Sequence, residues 1–291
     1  MVQAATRPQP APPLVCVSCH TPLPEAYGPG LLPCPACGLD HVWEPGYLKC
    51  QTDDLLFKRF RKQYLLNKVL NNNAYLSYLF VKERSLSLPH RRDVMDFRDY
   101  IRERLADGPL LDVGCGILPL PGYLNIEGLF EAHAVFGLDP IDDRAFQGFR
   151  VVGHSEFTPF EDGYFGTLIF GTSLDHVVSV PDTLAEARRI LRPGGRIVVW
   201  MSDRHQGRLN RLGRWIKTRL ESLRQGYPVD RFGIYHQQHL VLYIPRRAVD
   251  AYHSFSESPD KLDRIMRRQG FTRMDLSYVN PKQVFLCYER T

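Results

Sequence analysis

The sequence predicts an α/β fold wound around a mostly parallel sheet, and three observations predict it. Residues 110–113 form a short apolar run that leads straight into Gly114-Cys115-Gly116, a turn where the backbone bends with no Cβ in the way. A second apolar run, 135–138, ends in Asp139. Further strand-like runs at 149–153, 166–170 and 196–201 then alternate with a helical pattern over 181–191. Strand-turn-helix units repeated in this order place a ligand crevice at the carboxyl ends of the strands.

Each strand end carries a candidate contact. An acidic residue in the position of Asp139 faces the ribose hydroxyls of a bound nucleoside. The third strand leads into Gly153-His154-Ser155-Glu156-Phe157-Thr158-Pro159-Phe160, the fourth into Gly171-Thr172-Ser173-Leu174-Asp175-His176-Val177, and Leu191-Arg192-Pro193-Gly194-Gly195 precedes the fifth.

These motifs, in this order over residues 107–203, resemble the class I S-adenosylmethionine (SAM) dependent methyltransferases, whose first motif reads roughly hhDhGCGxG. The resemblance implies a Rossmann-like, seven-stranded sheet in the order 3-2-1-4-5-7-6, methyl transfer as the activity and SAM as the cofactor. It also implies a cofactor-binding set of Asp112, Gly114, Cys115, Gly116, Asp139, Pro140, Ser155, Glu156 and Thr172. Two positions depart from the pattern. Leu118 stands where a third glycine is usual and is followed by Pro119 and Pro121, which delays helix entry to about Gly122. His154 replaces the Asp that commonly binds the adenine amino group, so Ser155 or a backbone group takes over that contact.

His176 is the candidate general base, because an imidazole accepts a proton near neutral pH, and Asp175 orients or replaces it. The alternative is that His176 packs or caps the following helix and catalysis rests on proximity and in-line alignment.

The N-terminal part reads differently. Residues 1–14, rich in Pro, Ala and Gln, read as a loose arm. Cys16, Cys19, Cys34 and Cys37 form C-x2-C, fourteen residues, C-x2-C, the spacing of a closed tetrahedral zinc site in a small module over 15–50. The competing readings are a disulfide pair or incidental cysteines, and His20 and His41 are spare ligands. A closed site folds its module and leaves no position open for chemistry. Cys50, Cys115 and Cys287 read as small apolar residues.

Residues 51–106 read as a helical lid or linker. One helix starts at Asp53 and ends at Asn71-Asn72-Asn73; a second covers 93–105 and is stopped by Gly108-Pro109. Tyr75, Tyr78 and Phe80 line a lid or belong to the core.

The remaining chain, 107–291, is the methyltransferase-like domain. Ser258 and Pro259 open its last helix, Gly270 closes it, and strands at 271–278 and 283–288 complete the sheet, the final one antiparallel. Residues 203–257 form an insertion on the acceptor side, read as a helical cap. Its 208–224 segment draws a basic amphipathic helix that grips a phosphorylated acceptor, touches an anionic membrane peripherally or packs on the core. Residues 235–239 and His253-Ser254-Phe255 are further polar candidates there.

Composition limits the rest. The 291 residues hold one α/β domain of about 150 to 200 residues plus extras. No apolar run reaches the roughly 18 residues of a membrane span, and the proline-rich start offers no signal peptide, so the cytoplasm is the expected compartment. A net charge of +5 is distributed as an acidic core between basic flanks. An acidic pocket suits a sulfonium and basic flanks suit an anionic acceptor, although solvated helix faces would give the same pattern. The function expected is methylation of a sugar, glycan precursor or related small anionic metabolite. An RNA methyltransferase with an N-terminal zinc module, or a non-catalytic binding protein with a degenerate SAM fold, are the alternatives. Against RNA, the zinc module is not basic and no N-P-P-Y or D-P-P-Y motif follows the fourth strand.

Overall fold

The computed structural model describes residues 12–24, 29–80, 91–142, 144–203, 232–237, 240–245, 258–280 and 283–291. Three short strands, β1 (Gly30–Pro33), β2 (Asp40–Glu44) and β3 (Tyr47–Cys50), are followed by helices α1 (Asp53–Phe60), α2 (Lys62–Phe80) and α3 (Arg92–Arg102). Then come β4 (Leu110–Val113), α4 (Leu129–Ala132), β5 (Val135–Asp139), β6 (Phe149–Val152), β7 (Phe165–Gly171), α5 (Val180–Ile190) and β8 (Leu191–Ser202). A hairpin of β9 (Phe232–Gln237) and β10 (Leu240–Pro245) precedes α6 (Pro259–Arg268), β11 (Phe271–Asn280) and β12 (Gln283–Arg290).

Among the described residues, ten strands form one sheet in the order β1-β2-β3-β6-β5-β4-β7-β8-β12-β11. Its last seven members stand as 3-2-1-4-5-7-6 when counted from β4, with β12 antiparallel to β8. Every residue of β4, β5, β6 and β7 is buried, as expected of parallel strands covered on both faces. Successive residues on a strand point to opposite faces, and the core divides accordingly. Leu111 and Leu168 pack with Leu184 of α5 and Met266 of α6, while Leu110 and Ile169 pack with α3. On the α3 side, the Phe97 ring lies 5.4, 5.3 and 4.9 Å from those of Tyr123, Trp200 and Phe285.

One helix start follows its sequence signal, and a second uses the same device. The Ser258 side chain accepts from the Lys261 N–H ahead of Pro259, and Ser179 does the same for Asp182 at the start of α5.

Several expectations are corrected. The N-terminal module also joins the main sheet, since β3 pairs in parallel with β6. The end of the supposed loose arm is anchored, with Leu14 in an antiparallel bridge to Phe160 and its carbonyl accepting the Leu23 N–H at 2.8 Å, while residues 1–11 lie outside the described residues. The helix expected to stop at Asn71-Asn72-Asn73 instead breaks at Arg61, where φ is +36°, and α2 runs on to Phe80. The small helical penalty of Asn is offset because Asn67 and Asn71 bond to the neighbouring loop. The helix expected to enter at about Gly122 is a 3-10 turn at Gly122–Leu124, followed by the single-turn α4. Within the insertion expected to be helical the described elements are β9 and β10; the basic 208–224 segment and residues 253–255 lie outside the described residues. Among the described residues, no helix is long and apolar enough to cross a membrane.

Candidate active site

A cavity of about 210 Å³ opens at the carboxyl ends of β4, β5 and β7. Its floor is the glycine turn. Gly114 and Gly116 have φ of +82° and +68°, a region that L side chains rarely adopt, and a Cβ on Gly114 would lie 2.3 Å from the Cβ of Ser173. Gly116, by contrast, has open space where its Cβ would be. Backbone and ligand can therefore approach closely there.

Asp139 fixes this floor to the next loop. Its Oδ2 accepts the Gly116 N–H and its Oδ1 the Ile141 N–H, both at 2.9 Å. An ionised carboxylate has about four acceptor sites, so two remain for a ligand. Below lies Arg150 of β6, fully buried, which donates to the Gly116 carbonyl at 2.8 Å and the Ile141 carbonyl at 2.7 Å and also contacts the Cys115 sulfur. Burial pushes the Cys115 thiol well above its usual range, and the Arg150 charge opposes this. Pro140 and Cys115 line the cavity beside Asp139.

Asp112 does not line the cavity. It is fully buried under it, and both carboxyl oxygens face the Tyr123 hydroxyl at 3.0 and 3.2 Å. Burial raises its pKa to about 8, against the Tyr123 hydrogen bond, which lowers it.

On the third side stand His154, Ser155 and Glu156. His154 is half-buried, its Nδ1 lies 2.8 Å from Thr52 Oγ1, and desolvation takes its pKa down to about 4. It is therefore a neutral imidazole at physiological pH, able to donate or accept toward the cavity. Ser155 Oγ pairs with Thr183 Oγ1 at 3.0 Å. Glu156 accepts the N–H groups of Val178 and Ser179 at 2.7 and 2.9 Å, which ties it to the start of α5; burial still raises its pKa.

The fourth side is the loop after β7. Thr172 holds a φ of +62°, a strained value for a non-glycine residue, and its N–H reaches the Trp200 carbonyl at 3.1 Å. His176 lines the cavity, whereas Asp175 does not, and the nearest His176 Nε2 to Asp175 Oδ1 distance is 3.9 Å. The His176 carbonyl accepts from the side-chain amides of Asn67 and Asn71, the latter at 3.3 Å. Asn71 Oδ1 is buried and without a partner among the described residues.

Thus Gly114, Cys115, Gly116, Asp139, Pro140, Ser155, Glu156, Thr172 and His176 converge on one cavity. The sequence reading missed Tyr123, Arg150, Thr52 and the Asn67/Asn71 pair. Arg150 had a signal, a cation inside the otherwise apolar Phe149–Val152 strand; Thr52 and the asparagines had none, since their role depends on where α1 and α2 pack.

The cysteine cluster lies elsewhere. Cys16, Cys19, Cys34 and Cys37 bring their sulfurs within 4.8 Å of one another, with Cys16 to Cys37 at 3.6 Å and Cys19 to Cys34 at 3.5 Å. A tetrahedral site with Zn–S bonds of about 2.3 Å has edges of about 3.8 Å, so the cluster is compatible with a structural zinc. The residue after each knuckle, His20 at φ +57° and Gly38 at φ +71°, turns left-handed in the same way. His41 is buried with both ring nitrogens unbonded and is outside the four-sulfur cluster.

The chain matches the methyltransferase domain family over residues 87–275. It is similar to a demethylmenaquinone methyltransferase of Symbiobacterium thermophilum, with 28% identity over 181 residues that cover 57% of this chain and 69% of that protein. It is also similar to a ubiquinone/menaquinone biosynthesis C-methyltransferase of Paracoccus denitrificans, with 37% identity over 67 residues, 19% of this chain and 27% of that protein. Among solved structures, a geranyl diphosphate C-methyltransferase from Streptomyces coelicolor A3(2) aligns with a TM-score of 0.46 and 15% identity, covering 69% of this chain and 80% of that one. That last match is a likeness of shape on which nothing further rests. With the family match spanning more than half of the chain, the protein belongs to the methyltransferase domain family and is a SAM-dependent methyltransferase.

Proposed function

We propose that the protein methylates a small, largely apolar acceptor with a ring hydroxyl, of the phenol or quinol class. The observation that carries this reading is the cavity wall. Ile117, Leu118, Pro121, Tyr75 and Val177 contribute apolar surface, and among the described residues that line it there is no Lys or Arg. An anionic sugar or glycan precursor would need a buried cation or several donors, so the acceptor expected from the basic flanks finds no counterpart in this wall. The two quinone-pathway relatives point the same way.

In this reading Gly114, Gly116 and Asp139 hold the nucleoside part of SAM, with His154 and Ser155 beside the base. SAM supplies an electrophilic methyl on a sulfonium, which leaves as a neutral thioether. The protein's part is to align the acceptor for in-line displacement and to exclude water. His176 takes the hydroxyl proton of the acceptor as its oxygen or ring carbon becomes nucleophilic, and Asn67 and Asn71 hold the His176 backbone in place.

Labelled methyl from SAM, traced through cell extract, tests the proposal. The label should move into a neutral fraction soluble in organic solvent, and a phenol or quinol panel should include a substrate. Label retained in polysaccharide, or lost on nuclease treatment, overturns it. His176→Asn should lower kcat by about 10²- to 10⁴-fold with S-adenosylhomocysteine (SAH) affinity unchanged.

A further inference from the structure

The cysteine module touches the cofactor loop through the Asp142 side chain. Asp142 closes the loop that begins at Asp139, and both of its carboxylate oxygens are held from the module. The Tyr47 hydroxyl donates to Oδ1 and the Lys49 ammonium to Oδ2, each at 2.6 Å. Lys49 and then Tyr47 hold the Asp142 carboxyl below the usual range. Tyr47 is itself buried, with the Arg144 guanidinium 4.5 Å over its ring, and Arg144 in turn bonds to Glu44.

The path back to the cysteines is short. The second knuckle, Cys34 to Cys37, connects β1 to β2, and β2 is registered on β3 with Glu44 opposite Tyr47 and Val42 opposite Lys49. The carbonyl of Gly46, in the β2–β3 turn, accepts the Arg150 N–H at 2.8 Å. Arg150 is the buried cation that bonds the Gly116 and Ile141 carbonyls. One hairpin therefore supports the cofactor loop twice, through Asp142 at its tip and through Arg150 beneath it.

We propose that Asp142 is a positioning residue through which the metal-bound module sets the 139–142 loop, so that metal and SAM bind with positive coupling. This rests on reading the Asp139 loop as the cofactor loop. Holding Asp142 fixes Ile141, and the Ile141 N–H is one of the two donors that orient the Asp139 carboxylate. Ordering the loop before the cofactor arrives lowers the entropy that binding must overcome.

Coupling of this kind is reciprocal. In the full-length, zinc-loaded protein, titration with SAH by calorimetry should give a dissociation constant that rises roughly three- to tenfold in Asp142→Asn, the modest size expected of half-exposed ion contacts. Tyr47→Phe should give a smaller rise, and the double variant should show no more than Asp142→Asn alone. Both should keep one zinc per chain and raise KM for SAM while leaving kcat and the acceptor KM in place. Conversely, saturating SAH should slow zinc release to a colorimetric chelator in the wild type and do so less in Asp142→Asn.

Zinc release that ignores SAH, together with an unchanged SAH constant in both variants, overturns the proposal. Asp139→Ala separates the two levels. If it abolishes SAH binding while the Asp142 and Tyr47 variants do nothing, only the coupling fails. If Asp139→Ala also binds normally, the cofactor loop has been misassigned.

Discussion

On the glycine-turn wall of the cavity, the backbone is fixed from within the sheet. Asp139 accepts two loop N–H groups, and Arg150 bonds two loop carbonyls from the next strand. On the opposite wall, the loop with His176 is fixed from outside, by the Asn67 and Asn71 amides of α2 and by Glu156 at the start of α5. The first wall uses a buried carboxylate and guanidinium on the strands; the second borrows side-chain amides from a helix upstream of the parallel strands and a carboxyl group from the loop after β6. The difference assigns the walls different sensitivities: damage to the first should cost cofactor affinity and stability, and damage to the second should cost turnover.

The largest effect is expected for Arg150→Met. It leaves the Gly116 and Ile141 carbonyls without their buried donor, at about 1 to 3 kcal/mol each, and urea unfolding should register a loss of about 3 to 5 kcal/mol. An unchanged midpoint would mean that water replaces the guanidinium at no cost. Asp139→Ala removes a charge-assisted contact and unties Gly116 from Ile141; SAH affinity should fall by about 1.5 to 3 kcal/mol, measured by calorimetry.

The next effect is a pH dependence of stability, set by two desolvated groups with opposite signs. Asp112, raised to about 8, stabilises the fold fully below about pH 4 and loses that contribution as pH rises to 8. His154, lowered to about 4, contributes above about pH 6.5 and loses it as pH falls to 4. Between pH 4 and 6.5 the two slopes oppose each other, and from 6.5 to 8 the Asp112 loss remains, about 2 kcal/mol. Asp112→Asn should flatten the upper part of the curve; a wild-type profile that climbs from pH 6.5 to 8 would contradict the assignment.

The smallest change is on the second wall. Asn71→Ala should lower kcat severalfold and stability by about 1 kcal/mol, with SAH affinity unaltered. A shift in SAH binding instead would erase the distinction between the walls.

Much of this was legible in the sequence where the chain speaks locally. Gly114 and Gly116 mark positive φ, Asp139 marks a strand end, Ser258 and Pro259 mark a helix start, and two CxxC pairs mark a four-sulfur cluster; each signal sits within a few residues of its effect. What was missed depends on contacts across the chain. Asp112 fits the first motif yet lies under Tyr123, because the Leu118, Pro119 and Pro121 segment replaces a helix with a turn that swings the Tyr123 hydroxyl over it. The three asparagines look like a helix end until the loop that they serve is known. No local pattern announced that β3 would join β6, because parallel pairing is decided by register between distant segments.

That parallel pairing also bears on how the chain can be cut. β6 is buried along its whole length and would be the outer strand if the chain began at residue 51, offering a bare apolar ladder to any second molecule. Among the described residues the sheet ends instead on the four-residue β1, which carries Pro33, and on β11, which is interrupted by register shifts near Asp275 and Asn280. The cysteine hairpin therefore acts as a guard on self-association, and a fragment lacking it should be found in inclusion bodies.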